Sequence, residues 1–125
     1  MAMHGDVFWN ECITGDADAT KAFYGGLLGW EMQDGPMPDG TGRYIVAKRG
    51  EEMICGIFPV GPDGPAMPQQ WMTYLAVDDA DAAAKKVSEL GGEVLQGPFD
   101  IEGVGRFLMV KDPNGTVVGL AQDAN

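Results

Sequence analysis

The hydrophobic and polar positions of the chain predict a strand followed by a helix near the start. Val7–Thr14 is rich in aromatic and β-branched residues, which is typical of a strand. Asp16 or Asp18 is expected to cap the next segment as a helix, since a carboxylate accepts a bond from a free backbone N–H. Glycines at 25, 26 and 29 are expected to end this helix. Four of its apolar residues fall at helical spacing and predict a stripe that faces a core: Ala19, Ala22, Phe23 and Leu27.

Three further strands complete the first half in this interpretation. Trp30–Gln33 is a short run of apolar and polar residues and is predicted to be a strand. Two longer runs, Arg43–Lys48 and Met53–Phe58, are predicted to form a hairpin. Asp34–Gly40, rich in glycine and proline, is predicted to be a loop. The first half is therefore a β-α-β-β-β unit, and the proline- and glycine-rich segment 59–70 is predicted to be a connector.

The second half repeats this order. Asp79 is the expected cap of its helix, and Gly91-Gly92 is expected to stop it. The predicted buried stripe of that helix consists of Ala80, Ala83, Val87 and Leu90. The other predicted elements are strands at Trp71–Val77, Glu93–Gln96, Arg106–Val110 and Thr116–Ala121, a loop at Pro98–Gly105 and a tight turn at Asp112-Pro113-Asn114-Gly115.

The two halves are copies of one unit. Asp16-Ala17-Asp18-Ala19 recurs as Asp79-Ala80-Asp81-Ala82, a shift of 79 − 16 = 63 positions. The same shift, without a gap, brings Leu27 onto Leu90 and Gly56 onto Gly119. Such a self-match indicates a duplicated supersecondary unit. We expect an α+β fold in one domain, 1–125, with module one at 6–60, a connector at 61–69 and module two at 70–122.

Composition narrows the possible partners. The 125 residues suit one domain, and the formal net charge of −11 repels phosphate backbones and anionic lipid, so neither nucleic acid nor a membrane is an expected partner. With no apolar run long enough for a membrane span and no signal-like start, the expected location is the cytoplasm. The two cysteines, Cys12 and Cys55, are interpreted as small buried hydrophobes.

In the order of its motifs the chain resembles the vicinal oxygen chelate superfamily, which includes glyoxalase I, extradiol dioxygenases and bleomycin-resistance proteins. The resemblance is carried by the two β-α-β-β-β units, by Phe23-Tyr24 and Leu28-Gly29-Trp30, by Leu90-Gly91-Gly92 and by the last turn. It implies half-barrel sheets around a shared cleft, with the helices on the outer face. In the superfamily's enzymes, His, Glu or Gln from the first and last strand of each unit hold a divalent metal.

The corresponding positions in this sequence are Trp9, Gly56, Met72 and Gly119. They are equivalent in pairs, since 72 − 9 = 63 and 119 − 56 = 63. Indole, glycine and a lone thioether do not replace imidazole and carboxylate as ligands. The sequence therefore predicts no metal and no other cofactor, and it argues against glyoxalase or dioxygenase activity.

Because the side chains of a strand alternate between its two faces, the residues that line the cleft can be predicted. It is apolar and aromatic with one carboxylate, which suits an apolar or cationic small molecule. The predicted ligand-binding residues are Trp9, Glu11, Ile54, Gly56, Phe58, Met72, Tyr74 and Gly119. Cys12 and Cys55 are expected on the opposite face, under the helices.

Three hypotheses for function remain open on the sequence alone. The first is a metal-free small-molecule-binding protein. The second is a metal-independent enzyme of lyase or isomerase type, with Glu11 as general base. The third is a dimerisation module with a vestigial cleft, in which pairing would bury open sheet edges. The expected partners are a small-molecule ligand and a second copy of the chain in a homodimer. Arg43 and Arg106 lie at equivalent strand starts and are expected either to pair with Glu11 or to stabilise their own loops.

Overall fold

A computed structural model describes residues 2–37, 40, 42–61 and 68–124 of the chain. Both halves follow the predicted order of strand, helix and three strands. The first copy consists of β1 (Val7–Thr14), α1 (Ala17–Leu28), β2 (Glu31–Pro36), β3 (Arg43–Arg49) and β4 (Glu52–Pro59). The second consists of β5 (Gln70–Ala76), α2 (Ala80–Glu89), β6 (Glu93–Ile101), β7 (Gly105–Lys111) and β8 (Val117–Asp123).

The described residues group into two compact units. The first unit comprises residues 10–71, and the second comprises 2–9 together with 72–124. In the second unit the leader pairs with the end of β5, where the amide of Gly5 donates to Ala76 O and the amide of Ala76 donates to Asp6 O, each at 2.8 Å. The predicted module boundaries stay predictions, and most of the predicted connector, 62–67, lies outside the described residues.

Each copy has the same mixed pairing of strands. The strand order is β2-β3-β4-β1 in the first copy and β5-β8-β7-β6 in the second. The first and last strands of each copy pair in parallel, β1 with β4 and β5 with β8, and the other pairs are antiparallel. The α+β fold with two β-α-β-β-β modules is confirmed. Within the described part of the chain, no helix is both long enough and apolar enough to span a bilayer.

Both helices begin at the predicted caps. The Asp16 carboxylate accepts a bond from the amide of Ala19 at 3.0 Å, and the Asp79 carboxylate accepts one from the amide of Ala82 at 3.1 Å. α1 runs through Gly25 and Gly26 and ends at Gly29, which has a φ of 72°. A left-handed residue of this kind closes a helix at little cost only as glycine.

Two predicted loops are strands over part of their length. Asp34–Pro36 continues β2, with Asp34 opposite Ile45, and 98–101 continues β6. Each strand ends its copy's strand order, an edge position in which proline costs no ladder hydrogen bond on its free side. β6 also has irregular register between Val94 and Phe99. The composition of these segments is therefore typical of edge strands as well as of loops.

The prediction that the apolar stripe of α1 is buried is wrong. Ala19, Ala22, Phe23 and Leu27 are all exposed, and α1 instead packs through Ala17 and Tyr24. On α2 the prediction holds in part, since Ala80 is buried in the core and Val87 packs against it, while Leu90 is exposed. Helical spacing identified an apolar stripe on α1 correctly, but the residues facing the sheet are on a neighbouring face.

A compact apolar layer lies under each helix. In the first unit it consists of Cys12, Ala17, Ile45 and Ile57, with Tyr24 and Met32 packed against them. In the second unit it is built on Ala80, Leu108 and Val110. Cys55 is buried on the same face of the sheet as Ile57, by strand alternation. The expectation that Cys12 lies under a helix is confirmed, and both cysteines are free and buried.

An arginine at the start of β3 or β7 ties each helix to its sheet. Arg43 Nη2 donates to Asp18 at 2.8 Å and to Asp34 at 2.6 Å. Arg106 repeats this with Asp81 at 2.9 Å and Asp100 at 3.0 Å. Hydrogen bonds from Arg43 lower the pKa of Asp34 to about 2. The arginines thus stabilise their own segments, the second of the two alternatives that the sequence left open.

On the face of the second unit opposite α2, an aromatic ring lies against a glycine. Tyr74 and Gly119 are direct partners in the parallel pair β5–β8, and a Cβ on Gly119 would overlap the Tyr74 ring. Tyr74 is buried and makes an edge contact with Phe107, with ring centroids 5.8 Å apart. Phe107 in turn stacks on Phe99 at 6.2 Å. The absence of a side chain at 119 is therefore a packing requirement of this core.

We expect both cysteines to resist a thiol-specific reagent at pH 8 in the native protein. Burial raises the pKa of Cys55 to about 11 and also raises that of Cys12, so both remain thiols rather than reactive thiolates at that pH. The measurement is the rate of thiol modification with and without denaturant, in which both groups should react only after unfolding. Modification of either thiol at the denatured rate in native protein would contradict the buried placement.

We expect Gly119→Ala to destabilise the protein by ~1–3 kcal/mol, because the new methyl group overlaps the buried ring of Tyr74. Denaturant unfolding measures the change. Gly26→Ala is the matched control: Gly26 lies in α1 with nothing within 4 Å of an added Cβ, so this change should stabilise by up to ~1 kcal/mol.

The cause of the Gly119 effect can be separated with Tyr74→Leu, which removes the ring. Adding Gly119→Ala to that variant should cost less than it does in the wild-type protein, because sites in contact are not additive. Equal costs in both backgrounds would show that the ring is not what excludes a side chain at 119.

Candidate functional site

The polar feature of the first unit lies on the sheet face opposite α1. Glu11 and Gly56 are direct partners in the parallel pair β1–β4, and Ile13 pairs likewise with Phe58. Cys12, between them, lies in the core under the helix, so strand alternation directs Glu11 and Ile13 to the other face. Glu11 is only 8% exposed, which is unusual for a carboxylate and requires polar partners.

Tyr44 on β3 meets both Glu11 and Gly56. Its hydroxyl donates to Glu11 Oε1 at 2.8 Å, the usual distance for an O–H···O hydrogen bond. A Cβ on Gly56 would overlap the same phenol, so the ring lies directly above the glycine. The space above Gly56 is therefore occupied by the protein's own tyrosine.

The surroundings of Glu11 are apolar and partly open. Phe58 contacts Tyr44, with ring centroids 6.3 Å apart, and both rings are half-buried. Ile54, on the same strand as Gly56 and Phe58, is half-buried too. The predicted residues Glu11, Ile54, Gly56 and Phe58 thus share one face of the first unit. Tyr44 belongs to it as well, and sequence reasoning missed it.

A signal for Tyr44 was available in the repeat. Tyr44 is equivalent to Phe107, since 107 − 44 = 63, and Glu11 is equivalent to Tyr74, since 74 − 11 = 63. The same three places therefore hold Glu11, Tyr44 and Gly56 in one copy and Tyr74, Phe107 and Gly119 in the other. The first set is joined by a hydrogen bond and the second by ring contacts. Equivalent positions thus carry different chemistry, and the ring over the glycine comes from β3 in one copy and from β5 in the other.

The remaining predicted residues belong to the second unit. Tyr74 faces Gly119 across β5–β8, and Met72 lies two residues before it on the same face, 2% exposed. Trp9, equivalent to Met72 in the repeat, is half-buried on β1. Met72 and Tyr74 are thus well-packed core residues of this unit.

The side chains at the four positions implied for metal ligands do not fit a divalent ion. At Gly56 and Gly119 there is no side chain, and a tyrosine ring fills the space where a ligand would begin. Trp9 and Met72 offer an indole and a thioether, which are poor donors to hard or borderline ions. Among residues 2–37, 40, 42–61 and 68–124, no three His, Cys, Asp or Glu side chains form a group that could hold a metal.

A surface groove on the first unit was not predicted. A surface groove of about 360 Å³ runs beside α1 and is lined on one side by Thr20, Phe23 and Tyr24 and on the other by Gln69–Trp71. Trp71 Nε1 donates to the Tyr24 hydroxyl at 3.2 Å, and Gln69 Oε1 accepts from the amide of Gly15 at 3.0 Å. Its walls include residues of the stripe that sequence reasoning assigned to the core.

The residues around Glu11, on the sheet face of the first unit opposite α1, allow two kinds of chemistry. A buried carboxylate bordered by half-buried aromatic rings can receive a cation, since ring faces and the carboxylate both attract positive charge. The same carboxylate could accept a proton from a bound molecule. Both uses need a molecule close to Glu11, and the half-buried neighbours Tyr44, Ile54 and Phe58 form the rim it would meet.

Comparison with curated proteins gives relatives of more than twice the length. CFP32 of Mycobacterium bovis, provisionally named a glyoxylase, is 44% identical over 91% of this chain. The anthracycline biosynthesis protein DnrV of Streptomyces peucetius is 34% identical over 90% of it. The chain spans less than half of these relatives, 44% of CFP32 and 45% of DnrV.

Comparison with solved structures supports the fold. Hypothetical protein BH1468 of Bacillus halodurans matches with a TM-score of 0.72 at 12% identity, covering 98% of this chain and 97% of that one. A methylmalonyl-CoA epimerase of Streptomyces coelicolor matches with a TM-score of 0.68 at 17% identity, covering 98% and 100%. Residues 9–120 match the family model described as Glyoxalase/Bleomycin resistance protein/Dioxygenase superfamily. The chain belongs to this superfamily.

Proposed function

We propose that this chain is a metal-independent small-molecule-binding protein of its superfamily, with the ligand held against the Glu11 face of the first unit. The observation that carries the proposal is the buried Glu11 carboxylate, hydrogen-bonded by Tyr44 and bordered by half-buried aromatic and aliphatic side chains. Apolar walls with few polar groups are the usual composition of ligand sites.

The chemistry of the face favours an apolar or cationic ligand. Glu11 supplies negative charge, Tyr44 and Phe58 supply aromatic surface, and the formal net charge of −11 draws cations toward the protein. The name of DnrV links that relative to anthracyclines, which are flat aromatic compounds carrying an amino sugar. This is the combination of aromatic and cationic character that the face suits, so an anthracycline is a reasonable first probe.

Metal independence is supported by the packing at Gly56 and Gly119. In each copy a tyrosine lies over the glycine at the position implied for a last-strand ligand. Introducing a ligating side chain there would require the ring to move first. Binding through Glu11 needs no such change, because that carboxylate is already in place.

A second candidate function is metal-independent proton transfer. Glu11 would act as general base, taking a proton from a carbon next to a substrate carbonyl while the electron pair moves onto the carbonyl oxygen. The favouring observation is the bond from the Tyr44 hydroxyl, which fixes the carboxylate in one orientation. Glu11→Gln separates the two functions: a protein that binds a cationic ligand through Glu11 loses affinity, whereas an enzyme of this type loses turnover and keeps binding its neutral substrate.

We expect an anthracycline to stabilise the wild-type protein in a thermal-shift titration and Glu11→Gln to weaken this binding at least ~tenfold. The reason is the loss of a partly desolvated charge pair with the amino sugar, worth ~1.4 kcal/mol or more. The corresponding aglycone, which has no amino group, is the matched control ligand and should bind both proteins alike.

Tyr44→Phe serves as the matched control variant, because it keeps the ring over Gly56 and removes only the hydroxyl that bonds Glu11. We expect it to weaken binding less than Glu11→Gln does. No stabilisation by the anthracycline or by its aglycone would count against binding of this ligand class, and an identical response of wild type and Glu11→Gln would remove Glu11 from the site.

A further inference from the structure

The groove beside α1 has an uncharged lining in a strongly acidic chain. Its volume of about 360 Å³ lies in the range of small-molecule sites, ~300–1,000 Å³. None of the described residues that line it carries a charged side chain, although the formal net charge of the chain is −11. A cationic molecule is attracted to the acidic surfaces outside the groove, and an anionic one is repelled by the chain as a whole. The lining therefore suits an uncharged molecule.

Aromatic rings provide walls on which such a molecule can lie. Phe23 is 61% exposed and Trp71 44%, so both rings are accessible to a ligand. The Tyr24 ring holds both of them, with its centroid 5.0 Å from that of Phe23 and 5.4 Å from that of Trp71. Trp71 is fixed further because its Nε1 donates to the Tyr24 hydroxyl at 3.2 Å. Rings already held in place lose little freedom when a flat molecule covers them, which lowers the cost of binding.

The polar groups of the groove have hydrogen-bond donors to spare. The Gln69 side chain is oriented by its oxygen, which accepts a bond from the amide of Gly15 at 3.0 Å. Its amino group is the end left for another molecule, since it has no acceptor among the described residues. The Tyr24 oxygen likewise accepts from Trp71, and within the described part of the chain its hydroxyl hydrogen has no acceptor. Unused donors next to apolar rings favour a ligand with carbonyl oxygens.

The internal repeat shows that the fold does not require these residue types. At the shift of 63, Phe23 corresponds to Lys86 and Asp6 to Gln69, since 86 − 23 and 69 − 6 both equal 63. The equivalent places of the other copy thus carry charges where the groove has an aromatic ring and an amide. The uncharged aromatic lining is therefore a feature of the first unit and not of the repeated fold.

We propose that the groove beside α1 is a further small-molecule site, which binds flat, uncharged heteroaromatic molecules that carry carbonyl oxygens. The ring system lies against Phe23 and Trp71, with offset-stacked or edge contacts between the rings. The carbonyl oxygens accept from the Gln69 amino group and the Tyr24 hydroxyl. The site is independent of the binding proposed at Glu11, because α1 and the Glu11 side chain lie on opposite faces of the first unit's sheet.

Caffeine is a suitable probe, because it is a flat, uncharged molecule of two fused rings with two carbonyl oxygens and no hydrogen-bond donor. The test is a titration of the ¹⁵N-labelled protein with caffeine from ~0.1 to ~10 mM, followed by NMR. We expect saturable shifts of the Trp71 indole N–H, the Gly15 amide and the Gln69 amino group. The expected dissociation constant is ~1 mM or below, which a ligand of this size can reach.

Gln69→Glu is the sharpest variant, since it keeps the oxygen that accepts from Gly15 and replaces the amino group by a carboxylate oxygen. It should raise the dissociation constant for caffeine at least ~tenfold, because the ligand's carbonyl oxygen then meets an acceptor instead of a donor. Gln96→Glu is the matched control: it makes the same change at an exposed residue of β6 and should leave the affinity unchanged. Phe23→Lys, which introduces the charge found at the equivalent place on α2, should also weaken binding, and it leaves the core untouched because Phe23 is exposed.

Glu11→Gln distinguishes this site from the one proposed at Glu11, and it should leave caffeine binding unchanged. Circular dichroism and thermal unfolding of all variants check that their folds are equal. The proposal is overturned if no signal shifts saturably by ~10 mM caffeine, if the shifts are confined to the surroundings of Glu11 and Tyr44, or if Gln69→Glu binds caffeine as the wild-type protein does. Because caffeine carries no charge, such a failure would leave the binding of a cationic ligand at Glu11 unaffected.

Discussion

The packing of a tyrosine ring against a glycine on another strand of the same copy organises both halves of this protein. Gly56 lies beneath Tyr44 and Gly119 beneath Tyr74, and in each case even one added methyl group would overlap the ring. A ring can occupy such a place only if the facing position has no side chain. The constraint explains at once why glycine stands at these two places and why no ligating side chain can extend from them.

Duplication followed by divergence accounts for much of what distinguishes the two copies. The ion pairs that tie each helix to its sheet are kept, with Arg43 and Arg106 in matching roles. The face opposite the helix has become a carboxylate–phenol pair in one copy and a ring cluster in the other. The outer helix face has become apolar on α1 and charged on α2. The order and pairing of the strands are the same in both copies, while the side chains on each face, and the strand that supplies the ring over the glycine, differ.

Much of the fold could be predicted from the sequence because its signals are local. Residues close together in the chain determine the cap at Asp16, the strand Val7–Thr14 and the order of elements. Because the unit is duplicated, each of these signals occurs twice in the sequence. The two edge strands were predicted, but their continuations at 34–36 and 98–101 were missed, because glycine and proline are compatible with both a loop and an edge strand. The buried side of α1 was missed because helical spacing identifies an apolar stripe without identifying what covers it.

The candidate site was predictable in outline and not in its central contact. Strand alternation placed Glu11, Gly56 and Phe58 on one face correctly. That Tyr44 reaches across from β3 to cover Gly56 and bond Glu11 depends on pairing between strands distant in sequence. The one sequence signal for this contact was the equivalence of Tyr44 with Phe107 in the repeat.

The central claim is that tyrosine packing over Gly56 and Gly119 has replaced metal ligation in this chain. Equilibrium dialysis of the purified protein against zinc, manganese and nickel, followed by elemental analysis, tests it most directly. The account predicts no ion retained in stoichiometric amount at any of the three metals. One tightly held ion per chain, lost on substituting Glu11 or any of the four implied ligand positions, would contradict it.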